Sequence, residues 1–241
     1  MIRIFIAVWM LIGLFIAHSS FCQDSTAKQE RKSKGLPSIP GTFLLEFGFN
    51  QPFDTPEDFD IGFWGSRTAN VYYQIDKRIG KSKFSVHPGI GFGMERYKFK
   101  NGYTLALEDD LTVMIPASEK YSGPRKSMLV TNYLDIPVEI RFSTNPNDPG
   151  RSFKASVGGR FGYLFDSFAK VKYSEDGETK KIKDKQSFNL NDFRYGAFVK
   201  IGAGNFSIFG YYNLSPLFST DKGPEGTEMS NFTVGLSLSS F

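Results

Sequence analysis

The sequence predicts an all-β fold, an eight-stranded antiparallel up-and-down transmembrane β-barrel. Three observations carry this. Apolar residues recur with a period of two from residue 41 to the C-terminus, with no long stretch of helical i, i+3, i+4 spacing. The 25 Phe, 11 Tyr and 24 Gly favour strands and tight turns over helices. Short turns and long loops alternate along the chain, as in barrels that cross an outer membrane.

Residues 1–22 read as an export signal: Arg3 is the positive start, Ile4 to Ala17 the apolar run, and "HSSFCQ" the small-residue exit. Cleavage is expected between Cys22 and Gln23. Lipidation of Cys22 is the alternative, disfavoured by bulky Phe21. With one cysteine in the chain, no intramolecular disulfide can form. Residues 23–40, polar and ending in prolines, read as a flexible periplasmic lead-in, and residues 41–241 as the barrel domain.

Eight segments alternate. Phe43, Leu45, Phe47 and Phe49 oppose Thr42, Glu46 and Asn50; Val71, Tyr73 and Ile75 oppose Asn70, Gln74 and Asp76. Phe84, Val86, Ile90, Phe92 and Met94 oppose Ser85, His87 and Glu95. In "NYLDIPVEIRFS", Leu134, Ile136, Val138, Ile140 and Phe142 oppose Asp135, Pro137, Glu139 and Arg141. Three more follow at 154–166, 193–202 and 206–214, and "NFTVGLSLSSF" is the eighth. Pro88 and Pro137 within strands predict bulges or a place above the hydrocarbon. The long connections are 51–65, about 98–128, 167–187 and 218–229, the second rising as a hairpin beyond the membrane.

A period of two does not say which face is core, so a soluble ligand-binding barrel is a rival. Volume favours lipid outside: eight strands enclose just enough room for side chains, too little for this many Phe and Tyr. The other face carries Glu46, Glu95, Asp135, Glu139 and Asp166 against Arg141, Lys154, Arg160, Arg194 and Lys200, near the charge balance a closed lumen needs. These charges, with His87, are the expected polar network of the lumen. Phe241 is the expected terminal aromatic of an assembly signal, displaced by a bulge near Ser239–Ser240.

"YLDIPVEIRF", "ASVGGRFGYLFDSF", "FRYGAFVKIGAGN" and "FGYYNLSPLF" resemble the PorT-like outer-membrane β-barrel family over residues 41–241. The resemblance implies a signal-bearing eight-stranded barrel, with some relatives associated with type IX secretion or gliding, and brings no catalytic residue.

Chemistry beyond structure is sparse. His87, the only histidine after signal removal, lies beside Ser85 and within expected reach of Glu46 or Glu95, a placement that suits a lumen histidine better than the general base of a lipid-modifying enzyme. Carboxylates at 54–60 and 108–110 lack the ordered spacing of a Ca²⁺ loop. No cofactor and no nucleic-acid partner is expected, since the net charge of +4 is spread along the chain. The basic run "KKIKDK" in the third long loop could bridge lipopolysaccharide phosphates, although a solvated loop is favoured. The expected location is the outer membrane with both termini periplasmic. The expected partners are outer-membrane lipid and lipopolysaccharide, the barrel-assembly machinery and envelope proteins of a secretion system.

Overall fold

A computed structural model describes residues 41–239; the signal segment, the lead-in up to residue 40, and Phe241 lie outside the described residues. The strands are β1 (Thr42–Phe53), β2 (Arg67–Gln74), β3 (Lys77–Arg78), β4 (Phe84–Phe99), β5 (Tyr103–Glu108), β6 (Leu111–Pro116), β7 (Pro124–Ser143), β8 (Phe153–Glu175), β9 (Glu178–Asp184), β10 (Phe193–Ala203), β11 (Phe206–Asn213) and β12 (Ser230–Ser239). Among the described residues eight of these, β1, β2, β4, β7, β8, β10, β11 and β12, pair in a ring, each antiparallel to its neighbours. The ring closes between β1 and β12, where Leu45 meets Leu238 and Phe49 meets Val234.

Closure is what makes the strands compatible with lipid, because an open edge in hydrocarbon would leave backbone groups unpaired. The alternation sorts the side chains as their spacing predicts. On β1, Thr42, Leu44, Glu46 and Asn50 are buried inside while Phe43 and Phe47 stand outside, 57% and 56% exposed. Ile136, Val157, Val199, Ile201 and Ile208 are exposed likewise on other strands. This continuous apolar girdle would be insoluble in water, which removes the soluble-carrier alternative.

One end of the ring carries short turns (the turn end) and the other long connections (the loop end). The strands run further into the loop end than the sequence suggests. β7 and β8 have 20 and 23 residues, about twice the 9–11 that a membrane strand needs. The expected loops 98–128 and 167–187 are therefore largely strand: β4 reaches Phe99, β8 continues to Glu175, and "KKIKDK" lies mostly in β9, which pairs along β8. Lysines replace the apolar residues of the outer face there, which hid the period. The expected hairpin is present as β5 with β6.

Neither strand proline makes a bulge. Opposite Pro137 the ladder to β4 lapses at Gly89 and Ile90, then resumes in the same register at Gly91–Asp135. The register shifts lie instead at Pro124/Lys126 and at Asn132/Tyr133. In the second, Phe165 is the extra residue of β8, so Asp166 faces Asn132 on the outer face, bonded to Asn132 and Lys185. The expectation that Asp166 joins the lumen charges is thus overturned: one bulged residue reverses every later side chain.

The loop end is closed by an apolar cap. Phe59, Leu105, Phe188, Leu190, Leu217, Phe218 and Met229 from four separate connections pack on Tyr97, Phe99, Leu129 and Ala169 at the tops of the strands. Phe59 alone makes edge contacts with Tyr97, Phe99 and Phe218 at centroid distances of 6.3, 5.0 and 6.4 Å.

Candidate functional site

Apart from Asp166, the ionisable residues expected in the lumen point there. Arg194 on β10 reaches Glu95 on β4 at 2.5 Å and Asp135 on β7 at 2.7 Å, and its guanidinium lies 3.8 Å from the Tyr133 ring centroid. Tyr97 donates to Glu95 and Tyr72 to Asp135, both at 2.7 Å. Gly93 and Gly162 make the room for this knot: a Cβ on either would strike Asp135 and Arg194.

A second knot lies nearer the turn end. Glu46 contacts Arg160 at 2.8 Å and Lys200 at 2.9 Å, while Asn70 donates to it at 2.9 Å. Lys200 also contacts Glu139 at 3.1 Å, and Arg141 donates to Glu139 at 2.8 Å. The Arg160 guanidinium lies 4.3 Å from the Tyr211 and 5.0 Å from the Tyr72 ring centroid. Tyr72 therefore bridges the two knots, one by its hydroxyl and the other by its ring. Each of the four carboxylates has a cationic partner, so the cost of removing charge from water is offset inside the bore. The void left among Leu44, Glu139, Arg141, Lys200 and Ser237 is about 10 Å³, at the lower limit of what one water needs.

His87 departs from expectation. Glu46 and Glu95 are committed to the knots, and the acid it meets is Asp76, with Nδ1 2.5 Å from Oδ1, while Nε2 lies 2.6 Å from Ser85 Oγ. Asp76 follows β2 and is folded back by β3, whose pairs Lys77–Val86 and Arg78–Ser85 set residue 76 against residue 87. Alternation puts Asp76 on the inner face after Asn70 and Gln74, and the hairpin of "KRIGKSK" is what brings it to His87. Thr42 donates to the other oxygen of Asp76 at 2.9 Å. Burial acts to raise the Asp76 pKa, but the hydrogen bond and charge of His87, with the bond from Thr42, outweigh it and hold the carboxyl below its usual value. The Ser85–His87–Asp76 line opens on a cavity of about 160 Å³ at the turn end, rimmed by Arg78, Lys83, Arg141 and Lys154.

The acidic loop residues do not converge. Asp60 pairs with Lys100 at 2.9 Å and Asp110 with Lys222, and no three His, Cys, Asp or Glu among the described residues gather as a metal site.

A closed ring, an apolar exterior and a charge-filled bore define a membrane-spanning β-barrel. A profile of the outer membrane protein beta-barrel domain matches residues 29–219, and the chain belongs to that family of outer-membrane proteins. No curated protein matches it in sequence. Among solved structures it is similar to Ail, the attachment invasion locus protein of Yersinia pestis, in complex with the heparin analogue sucrose octasulfate, at 15% identity and a TM-score of 0.35 over 84% of this chain and 100% of that one. A second structure of Ail gives 15% identity and a TM-score of 0.33 over the same shares.

Proposed function

We propose that the protein is a non-enzymatic, non-conducting outer-membrane barrel that works through the surfaces at its two ends. In this reading it is an accessory of type IX secretion or of envelope assembly, as the PorT-like resemblance implies. The turn end and both termini lie in the periplasm, the loop end faces outward, and the barrel-assembly machinery takes Phe241 as part of its signal. The observation that carries the reading is the filled bore, ionic through its middle and apolar at the loop end, which leaves the surfaces as the parts free to act. Purified barrel in a planar bilayer should give no steady conductance. Tagged barrel should retain other envelope proteins, and deleting its gene should strand secreted cargo in the periplasm; normal export would end the secretion reading.

A second reading is favoured by one observation, the Ser85–His87–Asp76 line. In a lipid-modifying hydrolase His87 would take the Ser85 proton as Oγ attacks an ester carbonyl, with Asp76 orienting the imidazole. Against it, Ser85 is paired on both sides, to Arg78 and to Arg141, so the backbone donors around it serve the ladder rather than an oxyanion hole. Expression should leave lipid masses unchanged in this account. A mass change abolished by S85A and by H87A would replace it with the enzyme.

A further inference from the structure

The outer face of the barrel changes chemistry along single strands. On β4 the lipid-facing series Ile90, Phe92, Met94 continues directly into Arg96, two residues or about 7 Å further toward the loop end. On β7, Leu134 leads up to Val130, Met128 and Lys126. On β8, beyond the bulge, Phe168 leads to Lys170 and Lys172. β9 adds Lys183 opposite Lys170, and Lys126 stands opposite Lys172. Arg96, Lys126, Lys170, Lys172 and Lys183 thus surround one depression of about 250 Å³, floored by Met128, Val130 and Phe168.

Like charges placed directly across a ladder repel, and this array holds two such pairs. The nearby carboxylates are taken, Glu175 by Lys180 and Asp166 by Lys185. Among the described residues none of the five cations forms an ion pair with a carboxylate. Burial, then the neighbouring lysines and Arg96, push the Lys126 and Lys170 ammonium groups below their usual pKa. The Lys183 ammonium lies 4.5 Å from the Phe168 ring centroid, holding charge and apolar surface together.

We infer that this depression is a binding site for the phosphorylated headgroup of an outer-leaflet lipid. Its height and direction select that occupant over a soluble anion. The site lies on the lipid-facing side, immediately above the girdle residues Phe92 and Phe165, which contact each other at 5.9 Å, so a headgroup reaches it from the plane of the bilayer. Phosphate oxygens would meet the cations, and the lipid's apolar part would cover Met128, Val130 and Phe168. The inference rests on the loop end facing outward and is independent of any role in secretion.

The test uses the full-length folded barrel in zwitterionic detergent, probed with lipopolysaccharide, the same glycolipid stripped of phosphate, and inorganic phosphate. The wild type should retain lipopolysaccharide, and K126Q/K170Q/K172Q/K183Q should weaken retention about tenfold or more. The matching four-arginine variant should keep it, and the phosphate-free lipid should bind the wild type no better than the glutamine variant binds lipopolysaccharide. Heat-modifiable gel mobility checks that each variant is folded; should the glutamine variant not fold, the two lipid arms on the wild type decide. Equal retention by a folded glutamine variant, equal binding of the phosphate-free lipid, equal loss in the turn-end control K77Q/K81Q/K83Q, or displacement of lipopolysaccharide by equimolar inorganic phosphate would each overturn the site. Normal cargo export beside intact lipid binding would end the secretion reading and leave this one standing.

Discussion

The bore and the cap solve the same problem, filling the inside of a ring, by opposite chemistry. Midway along the strands the filling is Arg194, Arg160 and Lys200 locked to Glu95, Asp135, Glu46 and Glu139. At the loop end it is Phe59, Phe188, Phe218, Leu217 and Met229. The ionic part is built by residues rigidly placed on strands, which can hold the bidentate geometry that buried charge requires. The cap is built by connections, whose backbones cannot place charges so closely but can drape apolar side chains wherever they fit. The difference teaches that failure should be global in one region and local in the other.

The largest effect is expected at Arg194. Replacing it with Met strands Glu95 and Asp135 in the bore and should cost about 3–5 kcal/mol, read as a lower urea midpoint for loss of the folded gel form. Adding E95Q and D135N should recover a large part, because the loss is mostly uncompensated charge. Next comes Phe218→Ala in the cap, about 3 kcal/mol, read as faster protease nicking of the long connections with the midpoint of the ring unchanged. If that midpoint falls as well, cap and ring are one cooperative unit and the contrast breaks.

The smallest effect is expected at the turn end. The Asp76 carboxyl is depressed in the folded state, so its stabilisation is present at neutral pH and lost as pH falls through its folded pKa. The wild type should exceed D76N in midpoint at pH 7, and the gap should narrow below about pH 4. Half the Asp76 side chain is exposed, at 49%, so solvent screening keeps this effect below the other two. A gap that holds constant with pH would show that the carboxylate charge is not what His87 and Thr42 hold.

How much of this was legible follows the same divide. Alternation placed Glu46, Glu95, Asp135, Glu139, Arg141, Arg160, Arg194 and Lys200 on the inner face, since a strand fixes direction residue by residue. It named the charges without the pairs, because pairing depends on stagger between strands far apart in sequence. Asp166 was misplaced by one bulged residue. The cap left no trace, since Phe59, Phe188 and Phe218 sit in segments without a period. Of the basic depression "KKIKDK" shows only Lys183; Arg96, Lys126, Lys170 and Lys172 join it through the neighbouring strands.

The seam between β1 and β12 sets the order of events in making this protein. Its partners, Leu44 with Ser239 and Phe53 with Ser230, are the first and last pieces of the ring to be synthesised, and bringing chain ends together carries the largest loop entropy. Seven strands in hydrocarbon would expose two raw edges, so no shorter intermediate can rest in the membrane. The ring can close only once β12 has arrived. A nonsense mutation early in β12 should therefore abolish the folded gel form altogether rather than yield a slightly weakened product.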